Sequence, residues 1–475
     1  MADQTHPHKL QFRVLSNTDI EKVYQATLEC LERTGVNALN AEARKLFAEA
    51  GAKVDGVRVR IPRQVIQQTL KTCPNGFTLW GRDGQTCMGV FPGQVHFGPG
   101  LTSSYFIDPY TGERQRSRRR DVAIAARVID ALENIDYLMG LALPEDVAPQ
   151  RASVFEFAEM IINSRKPLMA WGQSLKNMEE IYQIAAAAVG GEEALREKPI
   201  FALFAVGLGP LVMPDIIIAN AFWAAEHGIP VVYHGPGVCG ISSPITGAGT
   251  LVVELAGCLA GLAAIQLKKP GAAVCLGSVP TPMDPRSARP LYGSPELSLY
   301  SAALSEIATY LHLPLMGTSG ASESKMVDAQ AAIESATQVI FSLLSRTTIP
   351  HDAGFLDCAD IGSLEMLVMN DEIIGMARRL MRGIEVNDET LMLDLIDRVG
   401  PGGEFITAQE TARNFRKEIW LPRFMDRQPW NQWEQNGRPT MLENIRTHIR
   451  TILETHVPYP LPDGALEKIN AVLEK

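Results

Sequence analysis

Between about residue 118 and residue 355 the sequence repeats one unit. An amphipathic stretch of helical period leads into a short unbroken apolar run, which ends in Gly, Pro or Ser. Seven such runs occur, at residues 137–143, 168–173, 200–206, 229–234, 272–278, 313–318 and 347–352. A strand with one wet face alternates polar and apolar residues, whereas a strand covered on both faces is apolar throughout. These runs therefore predict parallel strands sandwiched by helices. Helices are expected between them at residues 154–163, 178–189, 215–226, 249–267, 298–311 and 328–344. An open doubly wound sheet needs only five or six strands. Seven in succession favour a TIM (β/α)8 barrel whose eighth strand is not evident, with the open sheet as the alternative topology.

The flanks differ from this core. Residues 1–117 read as an α+β extension: Ser16 or Asn17 caps a helix over 20–34, a second helix covers 41–49, and a polar strand pair lies near 54–61. A strand-rich stretch over 78–107 follows, closed by the turn Tyr110-Thr111-Gly112. The barrel core spans 118–360. A helical region spans 361–475, with helices at 365–382, 390–399, 408–420 and 440–456, and with Trp430 and Trp433 packing a loop over 428–439 as a cap. With 44 Lys and Arg against 54 Asp and Glu the net charge is −10, which excludes a general nucleic-acid binder. Met1 to Lys9 is polar and lacks the apolar core of a secretory signal. Seven scattered cysteines with no Cys-x-x-Cys pair fit reduced thiols, so a cytoplasmic location is expected. The apolar window 251–267 carries Glu254 and reads as a buried helix rather than a membrane span.

Barrel chemistry sits where strands end. The strand ends here are Trp171-Gly172-Gln173-Ser174, Gly207-Leu208-Gly209-Pro210, Tyr233-His234-Gly235, Gly277-Ser278, Gly317-Thr318-Ser319 and His351-Asp352-Ala353-Gly354-Phe355. Rings, hydroxyls and histidine abound, and no Lys or Arg is present. Such a mouth suits a compact cation, which the quadrupole of an aromatic face attracts, although any single aromatic is equally explained as core packing. No metal is expected, because His234 and His351 lack further ligands at recognised spacing. Gly235-Pro236-Gly237-Val238-Cys239-Gly240 matches a dinucleotide fingerprint, but Pro236, Pro244 and Gly249 keep the chain in loop where that site needs a helix to open, so no nucleotide is expected. Five arginines between Arg114 and Arg120 form either a solvated face or a patch that steers an anionic partner.

Several ordered motifs carry a resemblance. They are His96-Phe97-Gly98-Pro99-Gly100, Asp108-Pro109-Tyr110-Thr111-Gly112-Glu113-Arg114, and Ala131-Leu132-Glu133-Asn134-Ile135-Asp136. Glu323-Ser324-Lys325, His351-Asp352-Ala353-Gly354, Arg382-Gly383-Ile384-Glu385-Val386-Asn387-Asp388 and Val399-Gly400-Pro401-Gly402-Gly403 follow. Through them the chain resembles, along nearly its whole length, the trimethylamine methyltransferase (MttB-type) superfamily of corrinoid-dependent methyltransferases. The resemblance implies a TIM barrel, a methyl transfer to a cobalamin held on a separate corrinoid carrier protein, and a role in one-carbon metabolism of the methanogenic kind. Members acting on trimethylamine carry pyrrolysine. This chain uses only the standard residues and so is similar to the non-pyrrolysine branch, which takes quaternary amines, with glycine betaine first; proline betaine, carnitine or a tertiary amine are the alternative donors, and a nicotinamide-dependent oxidoreductase is the remoter alternative function. Phe97, Tyr105, Trp171, Tyr233 and Phe355 are the expected walls around the ammonium, and His234, Thr318 and His351 the expected hydrogen-bonding groups. No membrane association is expected, and a homo-oligomer is.

Overall fold

The computed structural model describes Leu10 and residues 12–101, 103–235 and 237–475; the polar stretch Met1–Lys9 and Pro236 lie outside the described residues. Six short strands form one parallel sheet in sequence order: β1 (Leu168–Ala170), β2 (Phe201–Val206), β3 (Val231–His234), β4 (Val274–Gly277), β5 (Leu315–Thr318) and β6 (Ile349–His351). Two extended segments close this sheet into a barrel. Residues 136–141 run parallel to β1, with Leu138 N–H donating to Pro167 O and Met169 N–H to Leu138 O. Residues 96–100 lie between that segment and the end of β6: Gly98 N–H donates to Pro350 O, Ala353 N–H to Gly98 O, and Asp136 N–H to Phe97 O.

The missing stave, first of the eight in chain order with 136–141 second, is therefore His96-Phe97-Gly98-Pro99-Gly100, inside the stretch read as an extension. With it the barrel is complete, because a helix follows each stave: Arg119–Ala131, Ala152–Asn163, Leu175–Val189, Asp215–Glu226, Gly247–Lys268, Pro295–Tyr310, Ala329–Ser345 and Leu364–Arg382. The fold is a TIM barrel and not an open sheet. Helix Gly247–Lys268 is long and apolar enough to cross a membrane by composition alone, yet it is largely buried against the sheet.

Side-chain parity follows the two-residue period of a strand. Tyr137, Met139, Met169, Ala202, Val232, Cys275, Met316 and Ile349 fill the barrel interior as one cluster. Phe77, Leu79, Met88 and Val90, from the hairpin Phe77–Trp80/Cys87–Val90, join that cluster and plug the N-terminal end. Trp80 N–H donates to Pro199 O, and Arg82 N–H to Arg165 O, at the entries of β2 and β1. The neighbouring residues Leu168, Phe201, Val231, Tyr233, Val274, Leu276 and Leu315 pack outward against the helices. With one end plugged, the interior opens only toward the strand C-termini.

The C-terminal region departs from its expected form in two places. Met392, at φ 52°, breaks the expected 390–399 helix into Asp388–Leu391 and Leu393–Val399. Trp430 is 67 % exposed on a short helix, Trp430–Gln435, so it caps nothing.

Candidate active site

The open end carries an aromatic and imidazole cluster inside the barrel. Phe204 on β2 continues the inward parity of Ala202, and its ring lies 4.6 Å from His234 and 5.9 Å from His351; the two imidazoles are 5.8 Å apart. Phe204 is only half-buried although it points into a barrel, so the interior communicates with solvent there. Gly277 makes room for His234, since a Cβ at that position would meet the imidazole Cδ2 at 2.1 Å. Burial, and then the neighbouring His351, holds His234 well below the ordinary imidazole range, so this ring is neutral at physiological pH. Its Nε2 has no hydrogen-bond partner within the protein.

His351 is committed. Its Nδ1 lies 2.5 Å from Gly317 O, which fixes the hydrogen on that nitrogen, and its Nε2 lies 3.4 Å from Asp352 Oδ1. Thr318 Oγ1 donates to Asp352 Oδ2 at 2.5 Å. Thr318, His234 and His351 are thus brought together as expected, and Asp352 and Phe204 join them.

The five expected walls fare differently. Tyr233 does not line the mouth: one residue out of phase with His234, it points at helix Gly247–Lys268, where Gly261 makes room for its ring. Phe97 likewise lies among the outer core residues, with the Arg378 guanidinium 5.9 Å from its ring. Tyr105 stands on the surface ribbon Tyr105–Ile107/Arg114–Arg116, and the guanidinium groups of Arg114 and Arg116 occupy its ring at 3.5 and 4.5 Å. Three of the clustered arginines are consumed nearby, Arg116 on Glu145, Arg119 on Glu159 and Arg120 on Asp108. Phe355 is buried against Gly100 at the end of the first stave. Trp171 is half-buried at the end of β1, and its indole N–H donates to Glu156 Oε2 at 2.7 Å.

The rim also holds carboxyls that the strand ends do not reveal. Glu156, on helix Ala152–Asn163, is fully buried, and burial pushes its carboxyl up to about 8 against the hydrogen bonds from Trp171 and Gly140. Glu254, on helix Gly247–Lys268, accepts from Ser278 Oγ at 2.5 Å, and burial raises it well above the usual carboxylate range. Burial thus favours the neutral acid at both positions. The glycine loop after β3 is no dinucleotide site: no helix opens before Gly247, and Glu254 is engaged by Ser278 instead of facing a ribose. Among the described residues no group of His, Cys, Asp and Glu is arranged to hold a metal ion.

Known proteins resemble this chain in sequence and in overall fold. A family profile described as trimethylamine methyltransferase (MTTB) matches residues 2–475. The trimethylamine methyltransferase MttB of Desulfitobacterium hafniense is 31 % identical over 465 residues, covering 97 % of this chain and 93 % of that protein. The glycine betaine methyltransferase of the same species is 30 % identical over 467 residues, covering 98 % of this chain and 97 % of its own. In structure, the monomethylamine methyltransferase MtmB of Methanosarcina barkeri superposes with a TM-score of 0.52 at 13 % identity, over 95 % of this chain and 91 % of that one. A hydroxylamine complex of MtmB gives 0.54 at the same identity and coverage. At that identity the structural likeness establishes the barrel alone.

Proposed function

The chain belongs to the trimethylamine methyltransferase (MTTB) family and is a methyltransferase, and from that premise we propose that its methyl donor is a quaternary ammonium of the betaine type, glycine betaine first, and its acceptor the Co(I) corrinoid of a separate carrier protein. The observation that carries the reading is the Phe204–His234–His351 cluster in an interior open to solvent at one end. The Phe204 face attracts a trimethylammonium group at about 0.5–2 kcal/mol, depending on desolvation. A neutral His234 adds a polarisable wall and no opposing charge.

The reduced corrinoid, on its carrier, supplies the nucleophile for an in-line displacement that releases a tertiary amine. The protein's own task is positional. The plugged N-terminal end and the ring walls hold the trimethylammonium with one methyl toward the opening and keep water from its other faces. No proton is needed by the leaving amine, since a quaternary nitrogen departs neutral. The depressed imidazole of His234 suits a reaction that calls for no proton donor at that position.

Names among the relatives favour one rival donor, since trimethylamine is named for the Desulfitobacterium protein at 31 % identity and for several Methanosarcina proteins at 30–31 %. The decisive experiment incubates the protein with reduced cobalamin and a panel of glycine betaine, proline betaine, carnitine and trimethylamine, following loss of the Co(I) absorbance. Consumption with a betaine and not with trimethylamine is expected. Consumption with trimethylamine alone overturns the proposal.

A further inference from the structure

We infer that Asp352 is the residue by which the barrel reads the positive charge of its methyl donor, a specificity role that rests on the proposed function and adds a residue to it. Asp352 directly follows β6 and adopts φ 84°, the left-handed region that a residue bearing a Cβ avoids unless its surroundings impose it. What is secured there is the direction of a carboxylate. It is 4 % exposed, held through one oxygen by the Thr318 hydroxyl at 2.5 Å and placed through the other 3.4 Å from His351 Nε2. Thr318 and His351 belong to the inward-facing residues of β5 and β6, so the carboxylate lies over the interior and beside the ring cluster. Two phenols at different depths register its charge. Tyr137, an interior residue of the second stave, and Tyr292, on the loop after β4, are both pushed above the ordinary phenol range, by burial first and then by Asp352.

The partners of this carboxylate set it apart from the buried acids that carry an arginine. Glu159 is paired with Arg119, Glu365 with Arg446 and Glu180 with Arg151. No lysine or arginine pairs with Asp352 among the described residues, and its one ion-pair partner is His351. A buried carboxylate without a strong permanent counter-charge, beside aromatic faces and the unpartnered His234 Nε2, is arranged for a cation that arrives from outside.

The chemistry of the step fixes which kinetic constant depends on it. The donor carries a full positive charge when bound. That charge declines as the carbon–nitrogen bond breaks and the electron pair stays on the departing amine. Attraction to Asp352 is therefore stronger in the bound donor than in the transition state, so its loss weakens binding and does not slow the bound complex.

The test compares glycine betaine with its carbon isostere 3,3-dimethylbutanoate, in which a neutral quaternary carbon replaces the nitrogen. Calorimetry on the protein alone reads binding without the carrier. Wild type should bind the cationic compound at least about tenfold more tightly. D352N should bring the two within about threefold, with D352E restoring part of the gap. Asparagine tolerates positive φ as well as aspartate does, so D352N should fold, which an unchanged melting temperature verifies. In turnover D352N should raise KM by at least about tenfold while kcat changes less than about threefold. A merely structural role would weaken both ligands alike and lower the melting temperature. Should D352N keep the wild-type preference, this inference is wrong and the proposed function stands. If another amine of the panel binds in place of betaine, the same comparison with that amine's carbon isostere decides the role of Asp352. If no methylated amine binds wild type, the functional proposal falls and this inference falls with it.

Discussion

Replacing Glu156 with glutamine should change how the stability of the protein depends on pH. The Glu156 carboxyl is fully buried, touches Trp171 Nε1 at 2.7 Å, and lies so near Gly140 that a Cβ there would meet Oε1 at 2.0 Å. Burial lifts it from the ordinary 4.5 to about 8. Below pH 4.5 the folded and unfolded chains both hold this proton, and the group contributes nothing to the pH dependence. As pH rises from there, the unfolded carboxyl ionises while the folded one does not, so wild-type stability falls by about 1.4 kcal/mol per pH unit. The fall stops near pH 8, where the folded carboxyl ionises too, giving a ceiling of about 5 kcal/mol over the interval. Glutamine does not titrate, and its amide offers the same single acceptor and single donor group as the protonated acid. Glu156→Gln should therefore match wild type near pH 5 and become progressively more stable up to pH 8. Urea denaturation of both proteins at pH 5, 6.5 and 8, with m-values compared so that only midpoints are interpreted, measures the gap. A gap that stays constant across the three pH values would show that Glu156 is ionised in the fold, and the reasoning would be wrong.

Three further outcomes follow from the same geometry. Gly277→Ala places a methyl 2.1 Å from the His234 ring; donor affinity measured by calorimetry should fall about tenfold and stability by about 1–3 kcal/mol, the usual cost of overpacking. Tyr233→Phe removes a buried hydroxyl that has no partner; donor affinity should be unchanged and stability equal or up to about 1 kcal/mol higher, whereas weaker binding would return Tyr233 to the mouth. Lys166→Met strips the donor shared by Ile129 O, Leu132 O and Ile135 O at the end of helix Arg119–Ala131; a loss of at least about 3 kcal/mol in denaturation experiments is expected, because three carbonyls are left without it.

The barrel is legible in the sequence because seven of its eight staves are unbroken apolar runs. The first stave is not, for a physical reason. Its inward positions are Gly98 and Gly100, and the space of their missing side chains is taken by the rings of Tyr137 and Phe355. A stave built from His-Phe-Gly-Pro-Gly carries no apolar run, so periodicity cannot find it, although it completes the ring through backbone hydrogen bonds. The eighth helix, Leu364–Arg382, is visible as a helix, but with the first stave hidden it reads as part of the C-terminal region.

The site was legible only to within one residue of phase. Strands of three to six residues give the right strand end but not which of two neighbours faces inward, and a slip of one sends the side chain to the opposite face. Tyr233 and His234 show the consequence: both end β3, yet only the histidine reaches the mouth, and Phe204, one turn of the pleat below the strand end, was passed over. Glycines supply the missing phase. Gly261 receives Tyr233 on the helix side, while Gly277 receives His234 on the inner side, each relieving one large ring. Such a pairing needs the fold before it can be read, because the partners are 28 and 43 residues from the rings they admit. The buried acids are hidden for a related reason. Glu156 and Glu254 sit on helices whose other positions are mostly apolar, where a charge reads as a solvent-facing residue, and only the packed sheet turns it inward. The mouth consequently differs in electrostatic character from a purely aromatic cage. Its rings select for shape and softness, while a fixed carboxylate on Asp352 supplies the sign of the charge, which rings alone discriminate weakly.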